Sequence, residues 1–186
     1  HTAPSGRRLK QGDILSLDLG ILYPAQISPP AKIVAGKQGF YLDMAITLPV
    51  GKISPEASRL IRITKKALKR AIGRVKPGKH IGDISQAVQN YVEGQGFNVV
   101  RQLCGHGIGR ELHEEPEIPN FGKRHKGPEL KPGMVLAIEP MVTMGDWKLK
   151  KAKDGYGFET IDGSLSAHFE QTVAVTKNGS EVLTRL

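Results

Sequence analysis

The sequence predicts an α+β fold in a single domain, residues 1–186. Three observations predict it. Alternating strand patterns open the chain and recur through its C-terminal half. Two consecutive helices, each with its own start and stop signals, lie between them; strands and helices segregated in this way indicate α+β. The third is size, since 186 residues with 39% hydrophobic and 24% charged content are enough for one sizeable core.

The elements follow in order. DILSLDL (13–19) alternates as a half-buried strand, with Leu15, Leu17 and Leu19 on one face and Ser16 and Asp18 on the other. GFYLDMAITL (39–48) does the same: Phe40, Leu42, Met44 and Ile46 share one face, and Tyr41, Asp43, Ala45 and Thr47 the opposite one. PAQISPPAKIVAGKQG, rich in Pro and Gly, separates them as a long hairpin excursion. Ser54-Pro55-Glu56 starts a helix with an N-cap, a first-turn proline and an acid at the positive end. It should run to about Val75, where Pro77-Gly78 stops it. A second helix should run from about Asp83 to Glu93, ended by Gly94 and Gly96. Further strands are predicted at 97–102, 134–139, 156–160, 167–176 and 180–184. No repeat, heptad or low-complexity tract is present.

On a helical wheel, Arg59, Arg62, Lys65, Lys66, Lys69, Arg70 and Arg74 fall on one half of the first helix. Ala57, Leu60, Thr64, Ala67, Leu68, Ala71 and Val75 occupy most of the other half. The apolar stripe should pack on the sheet and the basic stripe face solvent. The net charge of +9 points to a polyanionic partner. No apolar run approaches a membrane span, and no signal-peptide pattern opens the chain. Cys104 is the only cysteine, which excludes an intrachain disulfide and makes a reducing cytoplasm the simplest home. His1 in place of an initiating Met reads as a processed product or a fragment of something longer.

The stretch CGHGIGRELHEEP (104–116) carries His106 and His113. It is not a zinc-protease helix. That motif needs a second His four residues after His113, where Glu117 stands, and Pro116 would interrupt the helix. Gly105, Gly107 and Gly109 indicate extended or turning backbone closely approached by other groups. Any further ligands must lie elsewhere. Strand parity supplies candidates. Val135, Ala137 and Glu139 share a face, as do His168, Glu170 and Thr172. Asp18, Asp43, Glu139 and Glu170 thus sit inside otherwise apolar strands. A lone strand Asp ordinarily lies at an edge or beside a Lys or Arg. Four buried carboxylates together need compensation, because each unpaired one costs several kcal/mol or becomes protonated. A pair of divalent cations supplies it: carboxylates bridge and chelate, one imidazole completes the set, and a bridging water becomes acidic.

Five segments, in order, resemble methionine aminopeptidase of the type I, bacterial-like class. They are GDILSLDLG (12–20), YLDMAITLPVG (41–51), CGHGIGRELHEEPEIPNFG (104–122), LKPGMVLAIEPMV (130–142) and DGSLSAHFEQTVAVT (162–176). The resemblance implies the pita-bread (creatinase/aminopeptidase) α+β fold and a single metallopeptidase catalytic domain, 1–186, with a loop insertion at about 24–37. It implies metal ligands Asp18, Asp43, His106, Glu139 and Glu170, the same five residues that parity and burial single out. The cofactor is then two divalent metal ions, Mn, Fe, Co or Zn. His106 and Glu139 are 33 positions apart, leaving no room for the helical insertion of the type II class.

The family likeness further implies that His113 hydrogen-bonds the substrate carbonyl. Glu139 shuttles the proton, and His1 matches an upstream histidine that contacts substrate near the scissile bond. Where the family has pocket aromatics, this chain has Leu112 and Tyr156, which suggests an altered methionine pocket. The family's N-terminal segment, which supplies part of that pocket, has no counterpart here, so an N-terminally incomplete fold is expected. The implied activity is removal of the initiator methionine from nascent chains by a cytoplasmic monomer. The basic face of helix 56–75 is either simply solvated or docks on ribosomal RNA near emerging chains, and no membrane is involved. Two rivals are a proline-specific or creatinase-like peptidase and a non-enzymatic binding module of the same fold. The GHGIGRELHEEP segment and the short C-terminal half disfavour the first, and the five retained ligands disfavour the second.

Overall fold

The computed structural model describes residues 6–24 and 39–185. His1 and the loop expected at 24–37, apart from Pro24, lie outside the described residues. The elements are β1 (Ile14–Pro24), β2 (Gly39–Pro49), α1 (Pro55–Ile72), α2 (Ile81–Glu93), β3 (Asn98–Val99), β4 (Cys104–Gly107) and β5 (Glu114–Pro119). They continue as β6 (Val135–Ile138), β7 (Met141–Thr143), β8 (Leu149–Lys151), β9 (Phe158–Thr160), β10 (Ser166–His168), β11 (Glu170–Thr176) and β12 (Gly179–Val182). The main sheet runs β1-β2-β11-β6-β4-β5, with β12 also paired to β11. Its neighbouring strands are antiparallel. A smaller sheet runs β10-β7-β3, and β8 and β9 form a hairpin.

Both predicted helices form. Ser54 Oγ accepts the Ala57 N–H at 3.1 Å, satisfying one of the free donors of the first turn. The α1 spiral ends at Ile72 rather than Val75. There Arg74 N–H reaches Ala71 O at 2.9 Å and Val75 N–H reaches Ile72 O at 3.0 Å, so the last turn tightens toward Pro77. Val75 is still buried. The expected apolar stripe faces inward with Ile63 added, and the basic residues of α1 are exposed. The α2 helix begins two residues before the predicted Asp83. His80 is the N-cap, and the Asp83 carboxylate accepts the His80 N–H at 2.9 Å.

Several strands are shorter than predicted, and prolines account for part of this. The run 134–139 ends at Ile138, before Pro140, whose lack of an N–H bars it from a ladder. The run 167–176 splits at Phe169, whose N–H turns to Pro140 O at 3.4 Å. Segments 97–102 and 156–160 shrink to β3 and β9. β5, β7 and β8 have no predicted counterpart.

The core lies between the helices and one face of the main sheet. Leu60, Ala67, Ile84, Val88 and Val92 meet Leu136, Ile138, Val173 and Val175 there. Each fully buried branched side chain contributes about 1.5–3 kcal/mol. On β2 the two faces alternate as predicted, but the inward one is the opposite of what hydrophobicity suggests; on β1 both rows are exposed, so Asp18, expected among four buried carboxylates, is open to solvent. Asp43, Ala45 and Thr47 are buried, while Leu17 is 49% and Leu19 59% exposed. Ile14 and Ile46 still reach the core, and the residues farther out on β1 lie beyond it. The polar face is inward because it is hydrogen-bonded. Thr47 Oγ1 donates to His168 O at 2.8 Å, accepts the His168 N–H at 2.9 Å, and lies 2.7 Å from Ser16 Oγ.

Candidate metal centre

Sheet register brings the sequence-predicted acids together. Ala45 of β2 stands opposite Asp18 of β1 on one side and Glu170 of β11 on the other. Directly opposed residues share a face, so Asp18, Ala45 and Glu170 form one row. Asp43, two residues from Ala45, is on that face by the period of two. Thr172 opposes Ala137, which in turn opposes His106. Glu139, two beyond Ala137, completes the group. Four strands and the exit of β6 therefore aim four carboxylates and one imidazole to one side, opposite the helix-packed core.

Glycine makes the His106 strand possible. A Cβ on Gly105 would collide with the Ala137 carbonyl, and one on Gly107 with the Glu115 carbonyl, so β4 lies closer to its neighbours than a side chain would allow. The His106 Nδ1 is 2.8 Å from Gly107 O. A carbonyl only accepts, so Nδ1 carries the hydrogen and Nε2 presents its lone pair to the acids. That Nε2 is 3.7 Å from Glu139 Oε1. His113 stacks beside His106, with ring centroids 4.4 Å apart and planes at 60°. It is solvent-exposed, at the rim of the group. The loop carrying it is tied down by Tyr41 N–H to Gly109 O at 2.7 Å and Glu111 N–H to Glu114 Oε1 at 2.9 Å.

Leu112 also reaches the site. A Cβ on Gly20 would stand 3.2 Å from Leu112 Cδ1 and 3.8 Å from Asp43 Oδ1, so Leu112 lies against β1 beside Asp43. Tyr156 is not drawn in. It sits between β8 and β9, 82% exposed, with its N–H on Asp154. A residue outside the predicted set is present instead. His168 places Nδ1 3.7 Å from Asp18 Oδ2 and Nε2 3.3 Å from Glu139 Oε2 and 4.0 Å from Glu170 Oε2. Its parity with Glu170 in the sequence was the available signal.

The electrostatics are those of acids in need of cations. Burial, then Glu139, Asp43 and Asp18, pushes the Glu170 carboxyl up to about 10. Burial and Asp18 raise Asp43 as well. Glu170 is 2% exposed, and its Oε1 is buried with no hydrogen-bond partner. Such an atom is costly unless something pairs with it. The donors divide into two groups whose ligand atoms lie within 4.8 Å of one another: Asp18, His168 and Glu170, and Asp43, His106 and Glu170. Mixed carboxylate and imidazole donors, with one acid common to both groups, fit divalent transition metals.

Comparison with known proteins agrees with this geometry. Residues 1–177 match metallopeptidase family M24. The methionine aminopeptidase of Clostridium perfringens is 47% identical over 184 residues, which are 99% of this chain and 68% of that protein. The chain belongs to metallopeptidase family M24, among its methionine aminopeptidases. A crystal structure of the methionine aminopeptidase from Thermotoga maritima superposes with a TM-score of 0.85 at 45% identity, covering 95% of this chain and 66% of that one. The prolidase of Pyrococcus furiosus superposes with a TM-score of 0.73 at 26% identity, covering 98% of this chain and 44% of that one. The fold is thus the α+β pita-bread fold common to the aminopeptidases and prolidases of the family, and the higher identity lies on the aminopeptidase side.

Proposed function

We propose that the chain is a metal-dependent aminopeptidase that removes the N-terminal initiator methionine from nascent proteins. Asp18, Asp43, His106, Glu139 and Glu170 would hold two divalent ions, Mn, Fe, Co or Zn. The observation that carries the reading is the convergence of two donor groups, Asp18, His168 and Glu170 with Asp43, His106 and Glu170, on one face of the sheet, with Glu139 3.7 Å from His106 and buried Glu170 common to both. When bound, the ions supply an acidic water and polarise the scissile carbonyl.

The chain's own residues do the rest. The Glu139 carboxylate takes the proton of the attacking water and delivers it to the leaving amine as the C–N bond breaks and the new C–O bond forms. Its two oxygens lie 3.7 Å from His106 Nε2 and 3.3 Å from His168 Nε2, which places it among the other donors. His113, at the rim, donates a hydrogen bond to the carbonyl oxygen as charge develops there. Leu112 offers an apolar contact for the methionine side chain beside Asp43. Hydrolysis of Met-Ala-Ser and of an Xaa-Pro peptide, each with and without added Mn or Co, tests this. Release of methionine that requires metal is expected. Preferential Xaa-Pro cleavage would move the chain to the prolidase side of the family, and metal-independent cleavage would end the reading.

The workplace follows from the exposed basic face of α1, which we assign to ribosomal RNA. A single cysteine suits a reducing cytoplasm, and among the described residues no helix is long and apolar enough to cross a membrane. Phosphate contacts make such docking steeply salt-dependent. Changing Lys65, Lys66, Lys69 and Arg70 together to Glu should abolish low-salt co-sedimentation with ribosomes and leave peptide cleavage intact. Equal sedimentation of variant and wild type would defeat the assignment.

A further inference from the structure

A second set of metal-type donors lies on the helical side of the sheet, away from the acid cluster. His80 caps α2, Asp83 sits in its first turn, and His125 comes from the connection between β5 and β6. The connection is pinned over the helix end. Gly82 N–H reaches Lys126 O at 2.9 Å and Ile81 N–H reaches Pro128 O at 3.0 Å. Gly82 is required for this approach, since a Cβ there would collide with the Lys123 carbonyl.

His125 has a φ of 57°, the one positive value at a non-glycine residue among those described. That region is sparsely used and costs energy for a side chain with a Cβ. The conformation turns the ring toward Asp83. His125 Nδ1 is 4.0 Å and His80 Nδ1 3.9 Å from the same atom, Asp83 Oδ2. The two rings lie edge to face with centroids 6.3 Å apart. All three donor atoms fall within 4.8 Å of one another. The His80 Nδ1 is buried and has no hydrogen bond. Asp83 is 5% exposed, and its other oxygen, Oδ1, faces the Arg124 Nε at 3.5 Å.

We propose that His80, Asp83 and His125 form a second metal site, taking one zinc-class ion that clips the 120–128 connection to the start of α2. Two imidazoles and one carboxylate, with water as a fourth ligand, suit Zn, Co or Ni; Mg and Ca prefer oxygen donors. Tetrahedral zinc with ligands at about 2.0–2.1 Å holds its donors roughly 3.4 Å apart. Moderate rotation of the exposed His125 ring provides that closure. The carboxylate divides its work: Oδ2, which accepts the His80 N–H, has a second lone pair for the ion, and Oδ1 stays with Arg124, which therefore need not be displaced.

The test is zinc stoichiometry by equilibrium dialysis and elemental analysis, on wild type, His106→Ala and the pair His80→Asn with His125→Asn. Asn suits both backbones, as an N-cap at 80 and at positive φ at 125. The double variant should hold one zinc fewer than wild type and keep its peptidase activity. The His106→Ala protein should retain that zinc, and its Tm should rise more on zinc addition than that of the same protein carrying His80→Asn and His125→Asn as well. Imidazole NMR of the His106→Ala protein gives an independent reading, in which His80 and His125 signals shift together with the first equivalent of zinc. Unchanged stoichiometry in the double variant, or unmoved His80 and His125 signals, would overturn the proposal.

Discussion

Removing the metal should make the stability of this protein depend on pH in an unusual direction, through Glu170. In the metal-free fold its carboxyl is pushed up to about 10 from an ordinary value of 4.5. Between those values the folded state holds a proton that the unfolded state has released. Unfolding stability then falls as pH rises, with a ceiling of about 1.4 kcal/mol per pH unit for one proton. It is fully present below the unfolded value and is lost on the way up to the folded one. From pH 5 to pH 8 the ceiling is about 4 kcal/mol, a large share of the roughly 5–15 kcal/mol that stabilises a domain. Asp43, also raised by burial and by Asp18, acts in the same direction.

The perturbation is Glu170→Gln, which keeps the shape and removes the titration. The assay is urea unfolding in excess chelator from pH 5 to pH 9, followed by Trp147 fluorescence. The variant should unfold at higher urea than wild type at pH 8, with the gap closing toward pH 5. With saturating metal the order should reverse, because wild type then gains binding free energy that the amide forgoes. A difference between the two proteins that stays flat with pH in chelator would refute the electrostatic account of the site.

Two further outcomes follow from the geometry. His106→Ala should lose at least 100-fold in peptide cleavage with the fold retained by circular dichroism, since the ring lies on the acid face and outside the helix-packed core; full activity with undiminished metal content would remove His106 from the centre. Leu136→Ala, at a fully buried position, should cost about 2–5 kcal/mol in urea unfolding, whereas Leu19→Ser, at 59% exposure, should stay within about 0.5 kcal/mol. Equal losses would mean that the β1 face is packed.

Much of this site was legible because a strand repeats every two residues. Parity alone placed Asp18 opposite in phase to Leu17 and Leu19, and it kept Asp43 in phase with Ala45 and Thr47. Antiparallel register then needed only to align Ala45 with Asp18 and Glu170. The glycines around His106 were readable as sites of close approach, and the Ala137 and Glu115 carbonyls are what approach. His168 was harder. It shares parity with Glu170, but the chain bends at Phe169, so its backbone pairs with Met141 of the smaller sheet while its ring turns to the acids. β5 was hidden for another reason. Its residues, EEPEIP, show neither alternation nor β-branching beyond Ile118, and its pairing with β4 is set by the neighbouring strand.

The misreading of β1 and β2 identifies what makes the site. An alternating pattern states which side chains share a face, but it does not state what covers that face. In this sheet the helices pack from β2 across to the β5 edge, with Leu136, Ile138, Val173 and Ile118 beneath them, and leave most of β1 uncovered. On β1 the apolar row Leu17 and Leu19 is left open, while on β2 the row Asp43, Ala45 and Thr47 is closed in. Thr47 holds that inversion through its bonds to both backbone groups of His168. The same contacts set the His168 ring among the acids. A sheet that turns its carboxylates inward gives up part of its hydrophobic stabilisation and takes on charge repulsion at Glu170. Cations at the acid face offset both, so metal affinity and fold stability are two measures of one arrangement.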